Sequence, residues 1–519
     1  MKRKVSRWSI LLIVFAVALT GFDIYFNRDS ASMTASMEPP SLPMISFQVE
    51  SHSVNPLAGN VEEMDFSAAR NTVVPLSEEG ELRIKLHTYD NQISSLIYTA
   101  YTGDGAEKLL TKTEKKPKKE LTLSFGDLYA DGQSGYLRVT LVLEDDSRVF
   151  YDTRIARDSK AQLASCIEYA KELHESMLHN TDTDKVERVL ETRTQGAASS
   201  LQHVTIYSPL EHATWGELKP ELVGEVTCEI QEMKEAYTSL QLRYQVRCAD
   251  ESICKVEEFF KVRFAGEKFY LLAYDRVIEE VFEGNSKALI SKGIRLGLAS
   301  QDLQYQANEA GTVVAFVQAG ELWSYNQKER EFACVFRFTD AEKADLRNET
   351  ALHRVQILSM DKKGNLTFAV YGYMNRGDHE GESGATIYYY DVSRNMIKET
   401  AFIPSQEAYA VIAKEYGELA YYNEEADVLY VMVGSALYKV ELQTGEQSLL
   451  LQASEQGGLV SAADGHLIAY QHPQKETEAI VLDFATGKER KVQVEEGECI
   501  QPLGFVMGDF VYGVARKSD

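Results

Sequence analysis

Six cysteines in 519 residues are too few and too scattered for a disulfide scaffold, and Cys166, Cys228, Cys248, Cys254, Cys334 and Cys499 show no metal-site spacing. Basic residues are scarce as well: 54 Lys and Arg stand against 79 Asp and Glu, for a net charge of −25. Sequence-independent nucleic-acid binding needs Lys and Arg to displace phosphate counterions, so that class of partner is excluded. There is no Gly-x-Ser-x-Gly elbow, no His-Glu-x-x-His pair, no Walker-type Lys-Ser/Thr loop and no repeated Asp box. The ten histidines stand singly, the pattern of surface or hydrogen-bonded residues rather than catalysts. No catalytic residue, metal or cofactor is therefore expected.

Long apolar runs are confined to the N-terminus. Lys2, Arg3, Lys4 and Arg7 precede an apolar stretch from Trp8 to Phe22, after which Asp23, Asn27 and Arg28 restore polarity. A basic flank stays cytoplasmic, so the rest of the chain is expected outside. A hydrocarbon core of about 30 Å needs roughly 20 apolar residues, which residues 8–26 approach with Asp23 at the interface. A cleavable signal wants small residues soon after its apolar run, and Phe22, Ile24, Tyr25 and Phe26 stand there instead. With no cysteine following for lipid attachment, the segment reads as an uncleaved single-pass anchor in the cell membrane.

The remainder is too long for one core. Residues 29–43 are rich in Ser, Met and Pro and read as a linker. Residues 44–157 hold six or seven short β runs separated by turns such as Gly103-Asp104-Gly105, the pattern of an immunoglobulin-like two-sheet sandwich without its Cys and Trp pair. At Asp158-Ser159, a plausible helix cap, the period changes to 3.6, with Leu163, Ile167, Ala170, Leu173 and Met177 on one face. A shorter helix is expected over Asp184–Glu191. A meander follows, alternating cleanly at Leu240, Leu242, Tyr244, Val246 and Cys248, with a hairpin at Ala265-Gly266-Glu267. Helices and then an antiparallel meander over residues 158–284 resemble the NTF2-like or cystatin-like α+β fold, which names no function.

From residue 293 to 519 strands return at about four per 45 residues, a propeller blade's allotment. Ser435–Val440 with Thr444-Gly445-Glu446 echoes Ala479–Asp483 with Thr486-Gly487-Lys488. The last blade has material for two strands, so either the first strand closes it or the chain is truncated. The expected fold is thus multidomain and mainly β: a transmembrane helix, a β-sandwich, one α+β module and a β-propeller-like C-terminal domain.

The richest polar cluster lies between Tyr371 and Gly384, where Asn375, Arg376, Asp378, His379, Glu380 and Glu382 crowd a glycine-containing loop. Carboxylates beside His379 are metal-ligand or acid/base chemistry, and Arg376 suits a carboxylate or phosphate. Against this, adjacent residues lack the spacing that fixes a metal geometry, and glycine loops need polar cover. A second cluster, Lys112, Lys115, Lys116, Lys118 and Lys119, suits an anionic polymer or headgroup, or a solvated loop. Cys248 and Cys254 flank a short connection and are the pair able to form a disulfide, with free buried thiols the alternative. Asn348-Glu-Thr350 and Asn365-Leu-Thr367 match glycosylation acceptors.

The anchor, Phe269–Arg276, Gly320–Tyr325 and the Tyr371–Gly384 loop together resemble uncharacterised single-pass envelope proteins of Gram-positive gut bacteria. That resemblance implies location and architecture, with a fuller propeller, and carries no activity. The expected function is a membrane-anchored extracytoplasmic binding or scaffold protein, non-enzymatic, acting through propeller loops. Its partners would be the membrane through residues 8–26 and an envelope protein or glycan. The alternatives are a glycan-active hydrolase with its site on the propeller face, and a regulator of a membrane sensor kinase.

Overall fold

The computed structural model describes residues 38–158, 161–191, 200–300, 303–339, 345–349, 352–407, 412, 420–423, 425–433, 436–452, 458–462, 465–472 and 474–516. The expected anchor at residues 8–26 lies outside them. Among the described residues no helix is long and apolar enough to cross a membrane. The fold is mainly β and built from several separate sheets.

Alternation builds the first unit. Strand β4 (Glu81–His87) turns Leu82, Ile84 and Leu86 inward and keeps Glu81 and Arg83 in water. It sits in a four-stranded sheet with β2 (His52–Leu57), β1 (Met44–Val49) and β7 (Glu120–Ser124), in the order β2-β1-β4-β7. The second sheet has the order β3-β9-β8-β5-β6, with β3 Val73–Pro75, β9 Arg148–Ala156, β8 Ser134–Leu143, β5 Ile93–Tyr101 and β6 Lys108–Lys115. Only β3 runs parallel to its neighbour, β9. Ile45, Phe47, Leu96, Leu137 and Val139 belong to one core between the two sheets. This unit has nine strands, and β2, β3 and β6 are those the sequence pattern did not mark. Lys112 and Lys115 lie on β6, a sheet edge, where charge deters pairing with another chain.

Helix α1 (Leu163–Leu178) buries Leu163, Cys166, Ile167, Ala170, Leu173 and Met177. Its start differs from the expected Asp158 or Ser159 cap. The N-cap is Gln162 in a left-handed conformation with no side-chain cap bond, and Ser159 lies outside the described residues. Helix α2 spans Thr183–Val189. A five-stranded sheet follows, β10 (His203–Thr205), β14 (Lys268–Glu280), β13 (Ile253–Ala265), β12 (Tyr237–Arg247) and β11 (Glu221–Lys234) in that spatial order. The β13 to β14 turn is the two-residue loop Gly266-Glu267, both at positive φ, which matches the right-handed strand twist. Asn55, fully buried on β2, donates to Val73 O at 2.8 Å and accepts from Ile230 N at 2.6 Å, so this sheet is bonded to the first unit.

After a short hairpin (Leu289–Ile290 as β15, Gly293–Ile294 as β16) come four antiparallel four-stranded sheets and a two-stranded one. The first holds β17–β20 (Tyr305–Ala307, Val313–Gln318, Glu321–Asn326, Glu331–Phe336) and the second β21–β24 (His353–Met360, Leu366–Tyr373, Ser383–Asp391, Met396–Pro404). The third holds β25–β28 between Ala420 and Gln452, the fourth β29–β32 between Leu459 and Gln493, and the last β33 (Glu498–Val506) with β34 (Asp509–Arg516). Each sheet pairs its strands in chain order, and successive sheets share apolar cores.

Candidate functional site

The polar cluster singled out above forms the connection between β22 and β23, and the structure draws it against the first unit. Tyr373, at the end of β22, is buried and donates to Gly59 O at 2.7 Å. Val61 N donates to Gly381 O at 3.0 Å. Gly381 has φ +85°, and a Cβ there would stand 2.7 Å from Leu42 Cδ1 and 2.8 Å from Val61 Cγ1, so only glycine permits the approach.

Glu380 is the closing contact. Its carboxylate accepts from Ser41 N at 2.7 Å, Leu42 N at 2.8 Å and Ser41 Oγ at 2.6 Å. Beside it Arg347 donates to Pro40 O at 2.6 Å, pairs with Asp345 at 2.6 Å and covers the Tyr89 ring at 3.6 Å. The stretch from Pro40 to Leu42, expected to be the end of a free linker, is therefore held from two sides.

The other members of the cluster are also engaged. Asn375 donates to Phe338 O at 3.3 Å and Arg347 O at 3.2 Å, and Arg376 donates to Asn348 Oδ1 at 2.9 Å; both residues are buried. His379 lies between Glu382 at 3.1 Å and Glu399 at 2.9 Å and stacks on Phe402. Burial opposes its protonation, but the hydrogen bonds to Glu399 and Glu382 outweigh that and hold its pKa above the ordinary histidine value. Asp378 alone of the six is exposed. Weighed above between a ligand loop and a glycine loop under polar cover, the segment commits Glu380 to the first unit and Asn375, Arg376 and His379 to partners within the sheet array. Among the described residues no group of three or more His, Cys, Asp or Glu is placed to hold a metal ion.

A cavity of about 110 Å³ adjoins this junction, lined by Asn60, Asp152, Glu229, Tyr373, Ser383 and Glu407 among others. Arg138 binds Asp152 at 2.7 Å and Arg243 binds Glu229 at 2.6 Å, so two of its three carboxylates are already paired. Such a space suits a few waters better than an organic substrate.

A second cluster escaped the sequence reading. Glu258, on β13, is buried and accepts from Tyr274 OH at 2.6 Å and Tyr244 OH at 3.0 Å, with His174 Nδ1 of α1 at 2.6 Å. Arg276, also fully buried, donates to Ala213 O at 2.8 Å and His212 O at 2.7 Å and lies over the Trp215 ring at 4.0 Å. Burial pushes the Glu258 carboxyl up, but His174, Arg276 and Tyr274 together hold it below the usual glutamate range. The set has acid, imidazole and guanidinium side by side, as an active site does. Its members are 0–2% exposed, so no substrate reaches them and the cluster is structural. The signal for it was present: Cys254, Val256, Glu258, Phe260 and Val262 share one face of β13, which puts the glutamate in an inward register.

Cys248 and Cys254 are brought together as buried free thiols in sulfur–sulfur hydrogen-bond contact at 3.7 Å, with no disulfide between them. The Asn348 side chain is buried against Arg376, and Asn365 donates to Asp361 at 2.8 Å while accepting from Val392 N, so both acceptor asparagines are engaged internally.

No family model and no curated protein matches the chain. Among solved structures it is similar to TolB from Acinetobacter baumannii, at 9% identity and TM-score 0.22, covering 71% of this chain and 78% of that one. A structural genomics protein of unknown function from Bacteroides thetaiotaomicron matches at 10% identity and TM-score 0.21 over 84% and 86% of the two chains. Dipeptidyl peptidase 4 from Porphyromonas gingivalis matches at 11% identity and TM-score 0.27 over 54% of this chain and 40% of that one.

Two outcomes are expected. Glu258→Gln keeps the shape but leaves Arg276 and His174 without their buried anion, and should cost about 3 kcal/mol in a urea titration, seen as a lower midpoint. A loss under about 0.5 kcal/mol would mean that the charge contributes nothing. For His379, a folded pKa raised above the unfolded value gives stabilisation that is complete below the ordinary 6.5 and lost as pH rises through the folded pKa. Titration of isotope-labelled imidazoles should place His379 above 6.5, and Glu399→Gln with Glu382→Gln should bring it down.

Proposed function

We propose that the chain is a membrane-anchored, extracytoplasmic binding or scaffold protein of the cell envelope, without catalytic chemistry of its own. In this reading residues 8–26 span the membrane and residues 44–157 form an immunoglobulin-like sandwich. Residues 158–284 form an NTF2-like unit, and the sheets from residue 293 onward form a propeller-like array that presents its loops to an envelope protein or glycan.

One observation carries the proposal. Glu380, in the β22–β23 connection of the array's second sheet, grips Ser41 and Leu42, at the end of the linker that would leave the membrane. A domain free to swing on its tether has no use for such a contact. A scaffold that must hold its loops at a set height and orientation does. The loop's other polar groups are taken up within the array, Asn375 by Arg347 O, Arg376 by Asn348 and His379 by Glu399.

A membrane-impermeant amine crosslinker applied to intact cells tests this reading. The expected result is a discrete product joining the chain to an envelope protein. A product that forms only after permeabilisation would refute the outward orientation, and recovery of neither a protein partner nor a retained glycan would refute the binding or scaffold role.

A further inference from the structure

The β17–β20 sheet has two apolar faces, and the neighbouring β21–β24 sheet covers one of them. Ala315, Leu322 and Phe336 pack toward the second sheet, in a core shared with Val355 and Leu366. Register places Tyr305 beside Phe316 and Trp323, and Val314 beside Tyr325 and Phe332, on the opposite face. Phe282 covers half of that face, packing edge-on against Phe316, Trp323 and Phe332 with ring centroids 5.0–5.1 Å apart.

The other half is open. Between it and the β15–β16 hairpin lies a groove of about 710 Å³, with Tyr305, Val314 and Tyr325 on the sheet side and Leu289, Ile290 and Ile294 on the hairpin side. Ile290 is 55% exposed and Tyr305 69%. The size falls within the roughly 300–1,000 Å³ of small-molecule sites.

The charge of the lining is the second observation. Its only charged members among the described residues are Lys292, at the hairpin tip, and Arg330, at the turn between β19 and β20, and both are exposed. Among the described residues no carboxylate lines the groove, although acids outnumber bases 79 to 54 along the chain. Glu329 and Glu331 flank Arg330 in sequence yet stand outside the lining. An apolar floor with cations at its edge complements one kind of molecule, an apolar body with an anionic head.

We propose that this groove is a binding site for a single-chain amphipathic anion, a free acyl carboxylate in its simplest form. The tail lies along Val314, Tyr325 and Ile294, and the head meets Lys292 and Arg330. The site is independent of the Glu380 junction and of the membrane orientation proposed above, so either proposal can fail alone.

The test uses the full chain with a diazirine-bearing dodecanoate analogue, photolysed and mapped by peptide mass spectrometry. Adducts are expected within residues 289–296 and 303–316, suppressed by excess dodecanoate and at least tenfold less by dodecanol, which has the same chain without the charge. Lys292→Glu with Arg330→Glu should lower labelling at least fivefold with the thermal midpoint unchanged. Lys292→Gln with Arg330→Gln gives the same readout if the reversed pair fails to fold. Equal competition by the alcohol, labelling insensitive to both charge changes, or adducts centred on residues 498–516 would overturn the proposal. So would a zero-length crosslink that places a second copy of the chain in the groove, or labelling lost to phosphatidylglycerol vesicles and not to free dodecanoate.

Discussion

The Glu380 carboxylate holds the amides of Ser41 and Leu42, partners 339 and 338 positions away in sequence. A carboxylate taking two backbone N–H bonds and a hydroxyl is a charge-assisted arrangement, stronger than neutral bonds of the same length. Its position matters more than its strength. It closes the start of the described chain onto the second of the successive sheets, and the buried Tyr373 bond, the close approach at Gly381 and the Val61 to Gly381 bond lie around it.

The Asn55 bridge plays the corresponding part between the first unit and the five-stranded sheet, with both ends of one buried amide used. Glu258, His174 and Arg276 do the same within that sheet unit, tying α1, the strands and the short helix Leu210–Ala213 to one another. All three devices are buried or half-buried polar groups with partners from distant segments. Apolar cores alone tolerate sliding, whereas a polar group that must meet a particular partner fixes one register.

What could be read from the sequence follows from locality. Strand β12 was legible because apolar and polar residues alternate along it, which writes a period of two into the sequence, although the face expected to be wet is covered at Ser239 and Gln241 and half-covered at Arg243 and Gln245. The Gly266-Glu267 turn and the strand echoes near Thr444 and Thr486 were legible because turn chemistry is short-range. Strand β6 was not, since an edge exposed on both faces carries no alternation, and its lysines read as a loop. The loop at residues 375–382 was legible as a polar cluster, yet its partners at residues 41, 59 and 61 were not, because a contact across three hundred residues leaves no local pattern. His174 was passed over because a polar residue in a buried stripe is invisible to a count of apolar ones.

The central claim is that Glu380 fixes the start of the folded chain to the sheet array. Hydrogen–deuterium exchange of the full chain, compared between Glu380 and Glu380→Ala, tests it directly. The account expects faster exchange at Ser41, Leu42 and Val61 in the variant, with the strands of the first unit unchanged. Identical protection at those three amides in both proteins would contradict it.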